Sequence, residues 1–135
     1  MAATEIQLKY NGPITAQASA AISAGGVSAG ALTAIDNTPT GNGGGCHAYQ
    51  VFVNVTSTPT GDATARLYYA GAYSDTTPDN FDKGSLSVAI PASATGEFSM
   101  GIIYDPDKYS YCRLGAENYG FTASLVVVPI LPEAQ

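Results

Sequence analysis

The sequence is poor in the residues from which catalytic and metal sites are usually built. It has no tryptophan, one histidine and two cysteines. Zinc sites need several His or Cys ligands. Here the three such residues, Cys46, His47 and Cys112, are scattered, and neighbours on a strand face opposite sides. A Cys112–His47–Asp triad is conceivable but disfavoured. We therefore predict a protein that is not an enzyme, with no cofactor and no catalytic, cofactor-binding or metal site residues.

The acidic and glycine-rich segments have simpler explanations than a ligand site. Asp75, Asp79 and Asp82 lie in a polar stretch over residues 74–84, and acidic loops can hold calcium, but the spacing does not match an EF-hand. Asp105 and Asp107 flank Pro106, and this composition is typical of a type I turn. The glycines at 43–45 precede a strand pattern and lack the lysine of a phosphate-binding loop. We expect turns at these places.

Charge is scarce, and most of it is negative. Only 12% of the residues are charged, and the net charge is −6. An acidic protein repels phosphate backbones, so nucleic acid is not an expected partner. No run of about twenty apolar residues and no basic-then-apolar start indicates a membrane partner or export. We expect synthesis in a reducing cytoplasm, where Cys46 and Cys112 are predicted to be buried, unpaired thiols.

Alternation of apolar and polar residues is the strongest structural signal, and it is densest over residues 47–73. Tyr49, Val51, Val53 and Val55 share one face of a predicted strand, a pattern typical of a sheet with one face in a core. A second predicted strand places Ala65, Leu67 and Tyr69 together. The Pro59–Gly61 region between them has turn composition, so the two strands are predicted to form an antiparallel hairpin.

Further strands are predicted on both sides of this hairpin. Residues 6–10 alternate, whereas residues 14–24 fit either a strand or a short helix, with a returning strand over 27–35. After a strand at 86–90, the rest of the chain is predicted to be a meander. Its first strand is predicted to place Phe98, Met100, Ile102 and Tyr104 on one face. Eight or nine strands at this spacing predict an all-β fold, an antiparallel β-sandwich or jelly roll of about eight strands.

The chain length predicts a single β-sandwich domain over residues 1–135. We expect flexible termini at about 1–5 and 129–135, because Pro129 and Pro132 should end the last strand. The loop at 36–45 holds four glycines in ten positions, and it is predicted to be mobile until a partner orders it.

Tyrosine is the one over-represented residue with chemical interest. Of nine tyrosines, seven cluster in the second half: Tyr68, Tyr69, Tyr73, Tyr104, Tyr109, Tyr111 and Tyr119. Tyrosine is amphipathic and is enriched at protein interfaces and sugar sites. We expect about half of these side chains at a binding surface and the remainder in the core or at its rim.

The style of the sequence resembles that of small capsid decoration, or cement, proteins of tailed bacteriophages. The segments that carry the resemblance are the start MAATEIQLKY, the small-residue stretch ITAQASAAISAGGVSAGALTAI and the region EFSMGIIYDPDKYSYCRLGAENYGFTASLVVVPI. The resemblance implies a homodimer or homotrimer on the outer capsid surface of a virion. It implies the major capsid protein as partner and a bracing role at capsomer junctions. The alternative is a receptor- or glycan-binding head domain of a phage fibre or adhesin.

Overall fold

The computed structural model describes residues 6–10, 12–71 and 80–134 of the chain. Several predicted features lie outside these ranges: residues 1–5, Tyr73, Asp75, Asp79 and Gln135. The described backbone forms eight strands and a 3-10 turn at Pro106–Lys108. The strands are β1 (Ile6–Tyr10), β2 (Ile14–Ile22), β3 (Ala48–Ser57), β4 (Ala63–Ala70), β5 (Asp82–Ile90), β6 (Gly96–Ile103), β7 (Tyr111–Glu117) and β8 (Phe121–Ala134).

These strands form two antiparallel sheets that pack as a β-sandwich, which confirms the all-β prediction. The larger sheet has the order β1-β8-β3-β6, with β2 also paired to β8. The smaller sheet has the order β5-β4-β7. β2 confirms the strand alternative for residues 14–24. The returning strand expected at 27–35 is not continuous, because the segment makes only isolated bridges at Val27 and Leu32.

The core lies between the sheets, where the predicted alternation places it. Val51, Val53 and Val55 of β3 are at most 2% exposed, and Leu67 and Leu114 face them from the smaller sheet without exposure. β-Branched side chains fit the pleated surface of an extended strand and disfavour a helix. Burial of each such side chain stabilises the fold by roughly 1.5–3 kcal/mol before conformational entropy is subtracted.

The predicted hairpin of β3 with β4 is wrong. β3 pairs with β6 and β8 in one sheet, whereas β4 pairs with β5 and β7 in the other. The link between them arches across the sandwich and is held there by two contacts with the β5–β6 connection. The Ser93 N–H donates to the Pro59 carbonyl at 3.1 Å, and the Ala92 N–H donates to the Asp62 carboxylate at 3.0 Å.

The predicted C-terminal meander is also wrong, because the chain changes sheets at each step. β6 and β8 belong to the larger sheet and β7 to the smaller one. Alternation shows which face of a strand is buried, and it contains no information about which strand lies alongside.

The predicted flexible terminus at 129–135 is wrong for the described residues. Strand β8 does not end at Pro129 but continues through both prolines to Ala134. The Ile130 carbonyl accepts from the His47 N–H, so the polar groups of residue 130 point toward β3. Because these directions alternate, the nitrogen of Pro129 points to the opposite side, into the gap between β1 and β2. The nitrogen of Pro132 points to the side of β3, but β3 begins opposite Ile130 and has no residue beside Pro132. Neither proline removes a ladder hydrogen bond.

One side of the sandwich is closed by residues 23–35. The Ala18 N–H of β2 donates to the Ala31 carbonyl at 2.8 Å, and the Ser28 N–H donates to the Leu114 carbonyl of β7 at 2.7 Å. Gly30 is required for the close approach, since a Cβ there would lie 2.7 Å from the Ala18 carbonyl oxygen. Because this segment covers the edges of β2 and β7, the outer edges of the two sheets on the other side are β5 and β6.

Candidate interaction surface between β5 and β6

A cleft of about 240 Å³ opens where the edge strands β5 and β6 approach each other. It continues into the turn that precedes β7. We call it the β5–β6 cleft. Its lining residues come from β5, from the end of β6 and from the 3-10 turn region, and they are Ser85, Leu86, Ile102, Ile103, Tyr104, Asp105, Lys108 and Tyr109.

A bulge in β6 exposes the apolar side of the cleft. Ser99 pairs with Phe52 and Gly101 pairs with Val51, so Met100 is an extra residue, and Gly101 takes a φ of +126°. One extra residue reverses which side chains face the core. The predicted common face for Met100, Ile102 and Tyr104 is therefore wrong.

After the bulge, Ile103 faces the core, and Ile102 and Tyr104 face the surface. Ile103 is 3% exposed and belongs to the core, whereas Ile102 is 37% and Tyr104 is 78% exposed. A glycine inside a strand pattern indicates a bulge, and this signal at Gly101 could have identified both exposed side chains.

A second bulge lies opposite, in β5. Arg66 of β4 pairs with Ser87 and Tyr68 pairs with Lys83, so three residues of β5, 84–86, stand against Leu67 alone. The Arg66 guanidinium donates to the Gly84 carbonyl at 3.4 Å and supports the bulge from below. Bulges commonly interrupt pairing at sheet edges and redirect side chains. Here the bulge contributes Ser85 and Leu86 to the cleft.

Lys108 and Tyr109, which line the cleft, both contact Tyr69 of β4. The rings of Tyr69 and Tyr109 are tilted, with centroids 4.5 Å apart, and the Lys108 ammonium lies 5.2 Å from the Tyr69 centroid. A hydrogen bond with the adjacent Tyr69 phenol raises the pKa of Lys108. Burial raises the pKa of Tyr109, which keeps its hydroxyl protonated.

The tyrosines named from the sequence divide among several environments. Tyr69, Tyr104 and Tyr109 come together at the cleft. Tyr111 is buried in a small cluster on the outside of β7, with Ala70 and Phe81. The remaining members are Tyr68, which packs against that cluster, Tyr119, which is 45% exposed away from the cleft, and Tyr73, which lies outside the described residues.

The cysteines and the histidine do not form a reactive group. Cys46 and Cys112 are buried and free, as predicted. Burial raises the pKa of Cys112 to about 12, the opposite of what a nucleophilic thiolate requires. Its thiol donates to the Tyr109 carbonyl at 3.6 Å. His47 is exposed just before β3, and its backbone N–H donates to Ile130. Among the described residues, no group of three or more His, Cys, Asp or Glu side chains is placed to bind a metal.

The described part of the chain contains no helix with the length and apolar character needed to cross a membrane. No protein-family model, curated protein or solved structure matches the chain. The cleft combines apolar side chains and exposed rings with a few polar groups, a lining that suits a protruding side chain or a ring-sized group of a partner.

Proposed function

We propose that the chain is a structural virion protein that binds the outside of a phage capsid and stabilises the shell at capsomer junctions. Its partners would be the major capsid protein and further copies of the chain, as a homodimer or homotrimer. The observation that carries this proposal is the β5–β6 cleft. It presents the exposed side chains of Ile102 and Tyr104 around a recess. Exposed tyrosine and aliphatic anchors around a recess are typical of protein interfaces.

The strand order supports a jelly roll as the finer fold. The succession β1-β8-β3-β6 in one sheet and β5-β4-β7 in the other alternates early and late strands. Residues 24–28 lie beside β7, in the position of a fourth strand of the smaller sheet. Two interlocked Greek keys produce this arrangement, which occurs in viral capsid and lectin domains. A fold is compatible with many functions, so it agrees with the proposal without selecting it.

The proposed mechanism is stabilisation by mass action. A protein that binds the assembled shell and not its separated subunits shifts assembly toward the shell, by about 2.7 kcal/mol per site at a hundred times the Kd. The net charge of −6 suits a position outside the shell, away from the packaged genome. Synthesis would take place in the host cytoplasm.

Co-sedimentation with capsids that lack the protein tests the proposal. The wild type is expected to sediment with them at saturable stoichiometry. The double variant Ile102→Ser/Tyr104→Ser should lose at least tenfold in affinity, or about 1.4 kcal/mol. Both side chains are exposed, so its melting temperature should stay close to that of the wild type. Tyr119→Ser is the matched control, because this tyrosine is exposed elsewhere. Equal binding by all variants, or no binding by the wild type, would contradict the proposal.

A receptor- or glycan-binding head domain is the second candidate, and the same cleft favours it. The Tyr104 ring is 78% exposed and lies beside Asp105, Lys108 and Ser85. An exposed ring next to charged and hydroxyl groups can stack on a sugar and bind its hydroxyls. A glycan array or a host-cell binding assay separates the two functions. Glycan binding that Tyr104→Ser abolishes, together with no capsid binding, would establish the alternative.

A further inference from the structure

Strand β1 is attached to the sandwich through one neighbour. All five of its residues pair with the end of β8, from Ile6 with Ala134 to Tyr10 with Ile130. In the described ranges β1 makes no extensive contact with the other strands of either sheet. Its backbone hydrogen bonds therefore depend on β8 alone.

The end of β8 extends beyond the sheet to which it belongs. β3 begins at Ala48, opposite Ile130, so residues 131–134 have β1 on one side and no described strand on the other. Residues 6–9 and 131–134 thus form a two-stranded ribbon at the end of the larger sheet, and Leu131 of this ribbon still packs against the core. Such a ribbon is marginally stable in water unless further strands or another surface support it.

The register of the ribbon places its apolar and charged sequence positions in separate sets of cross-strand partners. Cross-strand partners share a face, and positions 6, 8 and 10 are Ile, Leu and Tyr opposite Ala134, Pro132 and Ile130. On the other face, Lys9 pairs with Leu131, and Glu133 is its diagonal neighbour. The same register is available whichever copy of the chain supplies β1.

The link between β1 and β2 is a natural hinge. Tyr10 pairs with Ile130 and Ile14 pairs with Val127, so the link lies between the two ladders and includes Gly12 and Pro13. Open space surrounds Gly12, since a Cβ there would meet no atom within 4 Å. Pro13 has no N–H to contribute to a ladder. Rotation at this link redirects β1 without disturbing β2.

We propose that copies of this chain exchange strand β1, so that β1 of one copy pairs with residues 130–134 of a second copy. Every hydrogen bond of the ladder is kept, and this makes exchange a low-cost route to a closed oligomer. The inference deepens the self-association part of the proposed function. It does not depend on capsid binding, and its test uses no capsid.

A disulfide trap between paired positions distinguishes exchange from folding back. Lys9 and Leu131 are Cα partners. Residue 131 points its polar groups toward β1, so this is a hydrogen-bonded pair with Cα atoms about 5.5 Å apart, within the range for a disulfide. The full-length variant Lys9→Cys/Leu131→Cys is oxidised and analysed by non-reducing electrophoresis and mass spectrometry. Gln7→Cys/Glu133→Cys repeats the test at the next equivalent pair.

We expect most of the oxidised double variant to migrate as covalent dimers or closed higher oligomers in which peptides 9 and 131 of different copies are joined. The single variants Lys9→Cys and Leu131→Cys should stay largely monomeric under the same conditions, because random collision is then the remaining route. The native Cys46 and Cys112 are buried and are present in every variant. A monomer with an intrachain 9–131 bridge overturns the proposal. So does the absence of any bridge at both pairs, because β1 then does not pair with β8.

Discussion

The side-chain oxygen of Gln17 accepts a hydrogen bond of 3.0 Å from the backbone N–H of Leu114 and thereby joins the two sheets. Gln17 lies on β2 of the larger sheet and is fully buried, and Leu114 lies on β7 of the smaller one. The Gln17 amide nitrogen donates to the carbonyls of Ala123 at 3.0 Å and Ala18 at 2.6 Å. One polar side chain therefore satisfies backbone groups on three strand segments, and its bonds to Leu114 and Ala123 are buried.

Replacing Gln17 should destabilise the sandwich. Gln17→Ala leaves the buried Leu114 N–H and Ala123 carbonyl without this partner, at a cost of about 2–3 kcal/mol. Gln17→Met keeps the volume and should lose nearly as much, because it restores neither hydrogen bond. Gln50→Ala, on the outer side of β3, is the control and should cost less than about 1 kcal/mol. Urea unfolding at constant m-value measures these differences. A well-tolerated Gln17→Met would show that the hydrogen bonds of Gln17 contribute little.

The loop at 36–45 contains more structure than its glycine content indicates. Asn37 accepts from the Cys46 N–H at 2.7 Å and donates to the Cys46 carbonyl at 3.1 Å, which closes the loop at its base. The Asp36 N–H donates to the Asn42 side chain at 2.7 Å, and the Gly43 N–H donates to the Asp36 carbonyl at 2.9 Å. This network opposes the mobility that we expected for the isolated protein.

Asn37→Ala should release this loop. We expect amide-exchange protection at Cys46 and Gly43 in the wild type and a loss of at least tenfold at both in the variant, since one hydrogen bond contributes about 1 kcal/mol and two are removed. Asn54→Ala, at an exposed position of β3, should leave both amides unchanged. Unprotected loop amides in the wild type would instead support the original expectation of mobility.

Gly101→Ala tests the bulge that forms the cleft. The φ of +126° is strained for any residue with a side chain, and a Cβ at this position would lie 3.3 Å from Leu86 Cδ2. We expect a loss of about 1–3 kcal/mol and weaker binding of any partner that uses Ile102 and Tyr104. Gly12→Ala, where a Cβ meets no atom within 4 Å, should be nearly neutral. A fully stable Gly101→Ala would mean that the bulge is not fixed by this glycine.

The sequence predicts the faces of strands well and their partners poorly. Tyr49, Val51 and Val53 are buried as their alternation predicts, because burial on one face is a local property of each strand. One of the two partners of β3 is β8, which begins more than sixty residues later, and no local pattern contains that pairing. A short polar link such as 58–62 has the same composition whether it turns within a sheet or arches between two sheets.

No pattern in the sequence predicted the cleft. Tyrosine enrichment predicted a binding surface without selecting which of the seven tyrosines form it, and the predicted alternation assigned Ile102 to the same face as the buried Met100. The bulge at Gly101 inserts one residue into the strand. In a pattern that repeats every two residues, one insertion moves every following side chain to the opposite face. Ser85 and Leu86 depend on the second bulge, which forms only when β5 lies against β4.

Several acids with raised pKa values, among them Cys112, Tyr49 and Cys46, determine how stability should depend on pH on the alkaline side. Burial raises the pKa of Cys112 from the 9.0 of a solvated thiol to about 12, and burial also raises the pKa of Tyr49. The folded protein therefore keeps protons that the unfolded chain releases. For a group with a raised pKa, the stabilising contribution is complete below the unfolded pKa, and it is lost as the pH rises toward the folded pKa.

The free energy of unfolding should therefore fall between about pH 9 and pH 12, with a slope that approaches about 1.4 kcal/mol per pH unit for Cys112. Cys112→Ala lowers stability at every pH because it leaves a cavity, but it should flatten the slope between pH 9 and pH 10, before an unfolded tyrosine titrates. Ser110→Ala is the control without a titrating group and should keep the wild-type slope. Urea unfolding at half-unit pH intervals measures each slope. Identical slopes for Cys112→Ala and wild type would show that Cys112 does not keep its proton through burial.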